Sequence, residues 1–158
     1  MKRIFILILT FVLFVPSISC GKAAETVNPA YAYFKVFNSV YKQRENLTTG
    51  TFLAVNLENT KIKEKDKRIF IGLMESFCTE NHYALLIDRD LEKEGYIVGG
   101  IFRNGFLFTF NDTELTKNEL MISGFIFKSS LGGFGCEYTL KLIDDIWEIE
   151  PTGNFWDA

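Results

Sequence analysis

The chain has 158 residues, 47% of them hydrophobic and 23% charged, which fits one globular domain and excludes a disordered or low-complexity protein. Its formal charge of −3 becomes −5 (15 basic against 20 acidic residues) once the first 19 residues, with Lys2 and Arg3, are set aside. That sign argues against nucleic acid or an anionic membrane as the main partner, because phosphate binding needs clustered Lys and Arg.

At the N-terminus, Met1-Lys2-Arg3 is a short positive start, Ile4 to Val15 is a run of 12 almost unbroken apolar residues, and Pro16-Ser17-Ile18-Ser19-Cys20 closes it with small ones. This three-part layout predicts a secretory signal over 1–19, since the run is too short to cross about 30 Å of hydrocarbon. Cys20 followed by Gly21 resembles the end of a bacterial lipoprotein signal, in which the Cys becomes the lipidated first residue. Ser17, where a Leu is usual, and Pro16 depart from that pattern, and plain cleavage near Ser19 is the alternative. Residues 20–28 would then be a polar tether and 29–158 a single domain. The expected location is the bacterial cell envelope, periplasmic or membrane-anchored through Cys20, or otherwise secreted.

The fold expected from the remaining chain is α+β. Asn28-Pro29 is a cap followed by a first-turn proline, and Ala30, Tyr33, Phe34, Phe37, Val40 and Tyr41 recur at three and four, predicting a helix from about Pro29 to Glu45. Thr51 to Leu57 is apolar on both faces, as a buried central strand would be. Ile69, Phe70, Leu73, Met74, Phe77 and Cys78 mark a second helix over about 64–81, and Tyr83 to Ile87 a second strand. Strand, helix, strand with short links predicts a parallel pair joined by a right-handed crossover. Asp88 to Glu94 suggests a further short helix, capped by Asp88 and stopped by Gly95.

From Tyr96 onward an antiparallel meander of about five strands is expected, on one sheet with the helices on one face. Asn104-Gly105 between two apolar runs predicts a hairpin turn. Residues 111–118 would form a loop, Ser129 to Gly135 a flexible turn or bulge, and Asp144-Asp145 the last turn. The 16 Phe, 6 Tyr and 2 Trp imply a sheet covered on part of both faces, or an aromatic binding surface.

Few side chains suit a reaction. Cys78 and His82 stand four apart on a helix, but Cys78 falls on the apolar face and a helix C-terminus disfavours a thiolate. The single His in the chain argues strongly against a zinc site, a Ser-His-Asp triad or a multi-His metal centre. Asp88, Asp90, Glu92 and Glu94 lack the spacing of a calcium loop, and no cofactor is implied. Gly132-Gly133-Phe134-Gly135 leads into a strand where a phosphate loop needs a helix. The lysines between Lys61 and Lys67, with Arg68, are interrupted by Glu64 and Asp66 and fit a solvated helix start. In an oxidising compartment Cys78 and Cys136 form either a disulfide, worth about 4 kcal/mol by loop entropy, or two buried thiols. The candidate binding loops are those holding Asn104, Gly105, Asp112, Gly132, Gly133 and Phe134.

The order of features from Ser129 to Trp156 is a Gly-rich turn, the alternating strand Cys136 to Leu142, a turn, Trp147-Glu148-Ile149 and a late Trp. It resembles the C-terminal end of many small exported bacterial proteins of unassigned role, although Asp144-Asp145-Ile146 stands where a Gly is usual. The resemblance implies a cell-envelope location and carries over no catalytic residue. Four functional classes follow: a non-enzymatic envelope protein that binds a protein or small ligand, an immunity or inhibitor protein neutralising a toxin or lytic enzyme, a small envelope hydrolase, and a structural envelope component.

Overall fold

The computed structural model describes residues 27–115, 117–129 and 132–157, so the expected signal, Cys20 and most of the expected tether lie outside the described residues. Helix α1 (Pro29–Gln43) starts as its sequence requires, with Asn28 Oδ1 accepting from the Ala30 amide at 2.9 Å and Pro29 in the first turn. Its buried stripe is Ala30, Tyr33, Val36, Phe37 and Val40. Strand β1 (Phe52–Asn56), helix α2 (Glu64–Glu80) and strand β2 (Ala84–Ile87) form the predicted crossover unit, with β1 and β2 parallel and Phe52 opposite Ala84. Then follow β3 (Ile97–Val98), β4 (Ile101–Phe102), β5 (Gly105–Leu115), β6 (Glu119–Ser129), β7 (Gly132–Ile143) and β8 (Ile146–Asp157).

The eight strands make one mixed sheet. Its main order is β2-β1-β5-β6-β7-β8, with β1 parallel to both β2 and β5 and the last four strands an antiparallel meander. The β3–β4 hairpin joins it where Ile101 meets Ser129 of β6. Both helices pack on one face, over a core that includes Phe37, Leu53, Phe70, Met74, Phe106, Phe108, Ile126, Leu140 and Trp147. Edge-to-face ring contacts from Phe37 to Phe77 (4.8 Å) and to Phe108 (5.0 Å) tie α1 to α2 and to β5. A smaller core of Phe52, Ala54, Leu86, Leu91 and Phe102 lies on the other face, so β1 is buried on both sides as its sequence predicts.

Four expectations are corrected. The hairpin turn lies at Gly99-Gly100, both at positive φ, and Asn104-Gly105 instead opens β5 beside β1. Asn104 does adopt the left-handed region (φ 60°), but Gly105 pairs in parallel with Phe52, whose ring covers it. Residues 88–94 form turns and no helix. Asp88 has φ 46° where a cap needs extended backbone, and its carboxylate accepts from the Leu57 amide (2.7 Å) and pairs with Lys67 (2.5 Å). The third correction is that residues 111–115 continue β5, with a bulge between Asp112 and Glu114. Finally, Gly132 to Gly135 belong to β7 and pair with Ser129 to Phe125. The Asp144-Asp145 turn is present, both residues at positive φ as a two-residue hairpin requires. The described residues form two α-helices, a short 3-10 turn (Glu45–Leu47) and eight strands, fewer α-helices and more strands than expected.

Candidate functional site

Side chains alternate across a strand, and on β6 this sends Leu120, Ile122 and Ile126 toward the helices and Phe125 and Phe127 to the other face. Across the ladder, Phe125 stands opposite Gly135 and Phe127 opposite Gly133. Each ring lies on its glycine so closely that a Cβ could not be added there without moving the ring; at Gly133 it would stand 2.7 Å from Phe127 Cδ1. Phe52 covers Gly105 in the same way, making three aromatic rings that shelter glycine backbone on one face.

Trp156 of β8 pairs with Gly135 and extends the row. Its ring centroid is 5.3 Å from that of Phe125, which is 6.3 Å from Phe127 with planes only 16° apart. The result is an aromatic stripe across three strands, and Trp156 is 43% exposed at its end. Beside the stripe lie two adjoining hollows that share Glu92, Ile97 and Leu107. One, about 290 Å³, is floored by Phe102, Leu107 and Phe127; the other, about 350 Å³, is bounded by Asn56, Leu86, Arg89 and Asp90. Arg89 is ion-paired with Glu94 and its guanidinium lies 5.9 Å from the Tyr96 ring. No helix covers this face among the described residues; an apolar hollow beside one edged by Asn56, Arg89, Asp90 and Glu92 suits a side chain or small ligand.

The structure disperses the sequence-predicted site residues. Asn104, Gly105, Gly132 and Gly133 gather at one end of the sheet, where β5 begins, β6 ends and β7 begins. Gly133 and Gly105 make room for Phe rings and line no loop. Phe134 is buried on the helix side, beneath the Arg44 guanidinium at 4.2 Å and stacked on Phe155, and so is not a loop residue either. Asp112 sits at the far end of β5, a structural tie whose Oδ2 accepts from the Tyr33 hydroxyl and from the Lys61 amide, both at 2.7 Å. Its Oδ1 is buried without a partner among the described residues.

Cys78 and Cys136 are free thiols, both buried in the helix-side core, and His82 is exposed just beyond α2 at φ 60°. Burial pushes the Cys78 thiol up to about 11 and also raises Cys136, so neither carries a thiolate near neutral pH. Tyr83 is pushed up to about 12, first by burial and then by its hydroxyl contact with Tyr41. Groups whose folded pKa is raised contribute stability that is complete below their unfolded pKa and lost as pH rises through the folded one. The melting temperature is therefore expected to be level below about pH 9 and to fall between about pH 9 and 12, and Cys78→Ala should flatten the first part of that fall. Thermal unfolding followed by circular dichroism across this range checks it, and a level wild-type profile would contradict the burial of these groups.

The missed residues, Phe125, Phe127, Leu107 and Trp156, did leave a signal. Phe125 and Phe127 are two apart on one strand, and Gly133 and Gly135 are two apart on the next, which is the pattern of rings lying over glycines. Together the fold and this face define an α+β protein with two helices on one side of a mostly antiparallel sheet and a half-open aromatic face on the other. Compared with known proteins, the chain matches no family model, no curated protein and no solved structure.

Proposed function

We propose that this is a non-enzymatic binding protein of the bacterial cell envelope, exported by residues 1–19, tethered through a lipid on Cys20, and engaging another protein or a small ligand on the helix-free face of its sheet. The observation that supports the binding reading is the Phe127–Phe125–Trp156 stripe beside one apolar hollow and an adjoining hollow of mixed polarity. A monomer has little reason to leave such a face open, since burying apolar area is the main favourable term in folding and association alike. Aromatic side chains in pockets also carry most of the energy of typical interfaces.

Affinity capture from envelope extracts tests this reading when the wild type is compared with the Trp156→Ser and Phe127→Ser variants. The expected result is a partner or ligand enriched by the wild type and bound at least about tenfold more weakly by each variant. Trp156→Ser, at an exposed position, should retain the wild-type melting temperature to within a few degrees. A partner captured equally by all three proteins would place binding elsewhere.

A further inference from the structure

We infer that the end of the domain where residues 27–29 enter the fold faces the membrane surface, and that Lys61, Lys63, Lys65 and Lys117 engage anionic phospholipid headgroups there. This rests on the tether reading above. The entry point is fixed, because the Val27 carbonyl accepts from Trp147 Nε1 at 3.2 Å and Asn28 Nδ2 donates to Asp66 Oδ1 at 2.8 Å. Six residues, Gly21 to Thr26, separate Cys20 from Val27. Fully extended, that leash reaches about 25 Å, less than the roughly 35 Å diameter of a domain of this size. A domain held so short keeps the Val27 end nearest the bilayer.

That end is where the lysines gather. Two adjoining hollows, of about 190 and 350 Å³, share Pro29, Lys63 and Asp66. Lys61 and Lys117 line one, and Lys65 and Val27 line the other. All four lysines are exposed, and none has a side-chain ion pair or hydrogen bond among the described residues. Among the described residues Asp66 is the one acidic residue lining either hollow, and it is 4% exposed and bound to Asn28. The sequence shows a basic run interrupted by Glu64 and Asp66. Folding buries Asp66, draws Lys67 away to Asp88, and adds Lys117 from the β5–β6 turn.

Glu58, Glu64, Glu119 and the Asp144-Asp145 turn lie at the same end of the sheet but outside the hollows. The attraction is thus local, and it falls off within a Debye length of about 10 Å at 0.1 M salt. Held by its leash, the domain brings the lysines inside that range. Free in solution, with a net charge of −5, it would not be drawn to the membrane.

The test uses the mature protein in vesicles of phosphatidylcholine alone, or of phosphatidylcholine and phosphatidylglycerol in equal parts, with lysine labelling rates read by mass spectrometry. Lys61, Lys63 and Lys117 should label about threefold or more slowly in the anionic vesicles, with the exposed Lys42 in the last turn of α1, at the opposite end of that helix from Pro29, unchanged and the protection lost in high salt. Equal rates for an acylated protein in both vesicles would overturn the engagement of anionic headgroups by these lysines while leaving the tether standing. An intact mass without acyl chains on Cys20 would overturn the tether reading and this inference with it.

Discussion

Trp147→Ala is expected to destabilise the protein by about 3–5 kcal/mol, the range for removing a large buried aromatic, and to lower the melting temperature by roughly 10–20 °C. Trp147 is 2% exposed and belongs to the helix-side core, where β8 closes over α1. Two further ties converge on it: its indole donates to the Val27 carbonyl, and its own carbonyl accepts from Lys35 Nζ on α1. Removing the ring opens a cavity between β8 and α1 and frees the entry of the chain. Since a domain of this size has a total stability of about 5–15 kcal/mol, the loss is a large share of it. Trp147→Phe should recover more than half of the loss, because most of the volume is restored and only the indole hydrogen bond, worth about 1 kcal/mol, is missing. Urea unfolding measures both. A loss below about 1 kcal/mol for the alanine variant would mean that β8 is not packed as described.

Gly124→Val is the second large effect, and its cause is the opposite one. At Gly124 α1 lies close on β6, and a Cβ there would lie 2.9 Å from Val36 Cγ1, 3.0 Å from Phe108 Cζ and 3.2 Å from Val40 Cγ2. Two of these neighbours are β-branched residues fixed on a helix, and the third is a fully buried ring, so none can swing into solvent. Overpacking of this kind costs about 1–3 kcal/mol and occasionally more, and the upper end is expected here because the whole of α1 must lift. Val36→Ala opens space at the closest contact. Combined with Gly124→Val it should return about half of the lost stability, a coupling that independent sites do not show. Purely additive losses would contradict the close approach of α1 to β6.

Much of the fold was legible because its signals are local. Asn28-Pro29 caps α1 through its own amide, the apolar stripe of α1 repeats at three and four, and Asp144-Asp145 turns on its own backbone angles. The misreadings share one physical reason: each turned on a partner far away in sequence. Gly99-Gly100 and Asn104-Gly105 are both good turn signals, and the choice between them is made by Phe52, which lies over Gly105 after the chain has come back beside β1. Asp88 fails as a helix cap because Leu57 and Lys67 claim its carboxylate. The glycines of β7 suggested an irregular loop, yet they are sheet positions made necessary by Phe125 and Phe127 of β6. The same long-range pairing hid the aromatic face, so the sequence directed attention to loops while the stripe formed on strands.

Site-specific photocrosslinking in intact cells decides whether the helix-free face is the binding surface. A photoreactive residue replaces Trp156 in one protein and Ser76, on the exposed side of α2, in another. If partners bind the helix-free face, a crosslinked adduct forms from position 156 and none from position 76. An adduct from position 76 with none from position 156 would contradict binding there.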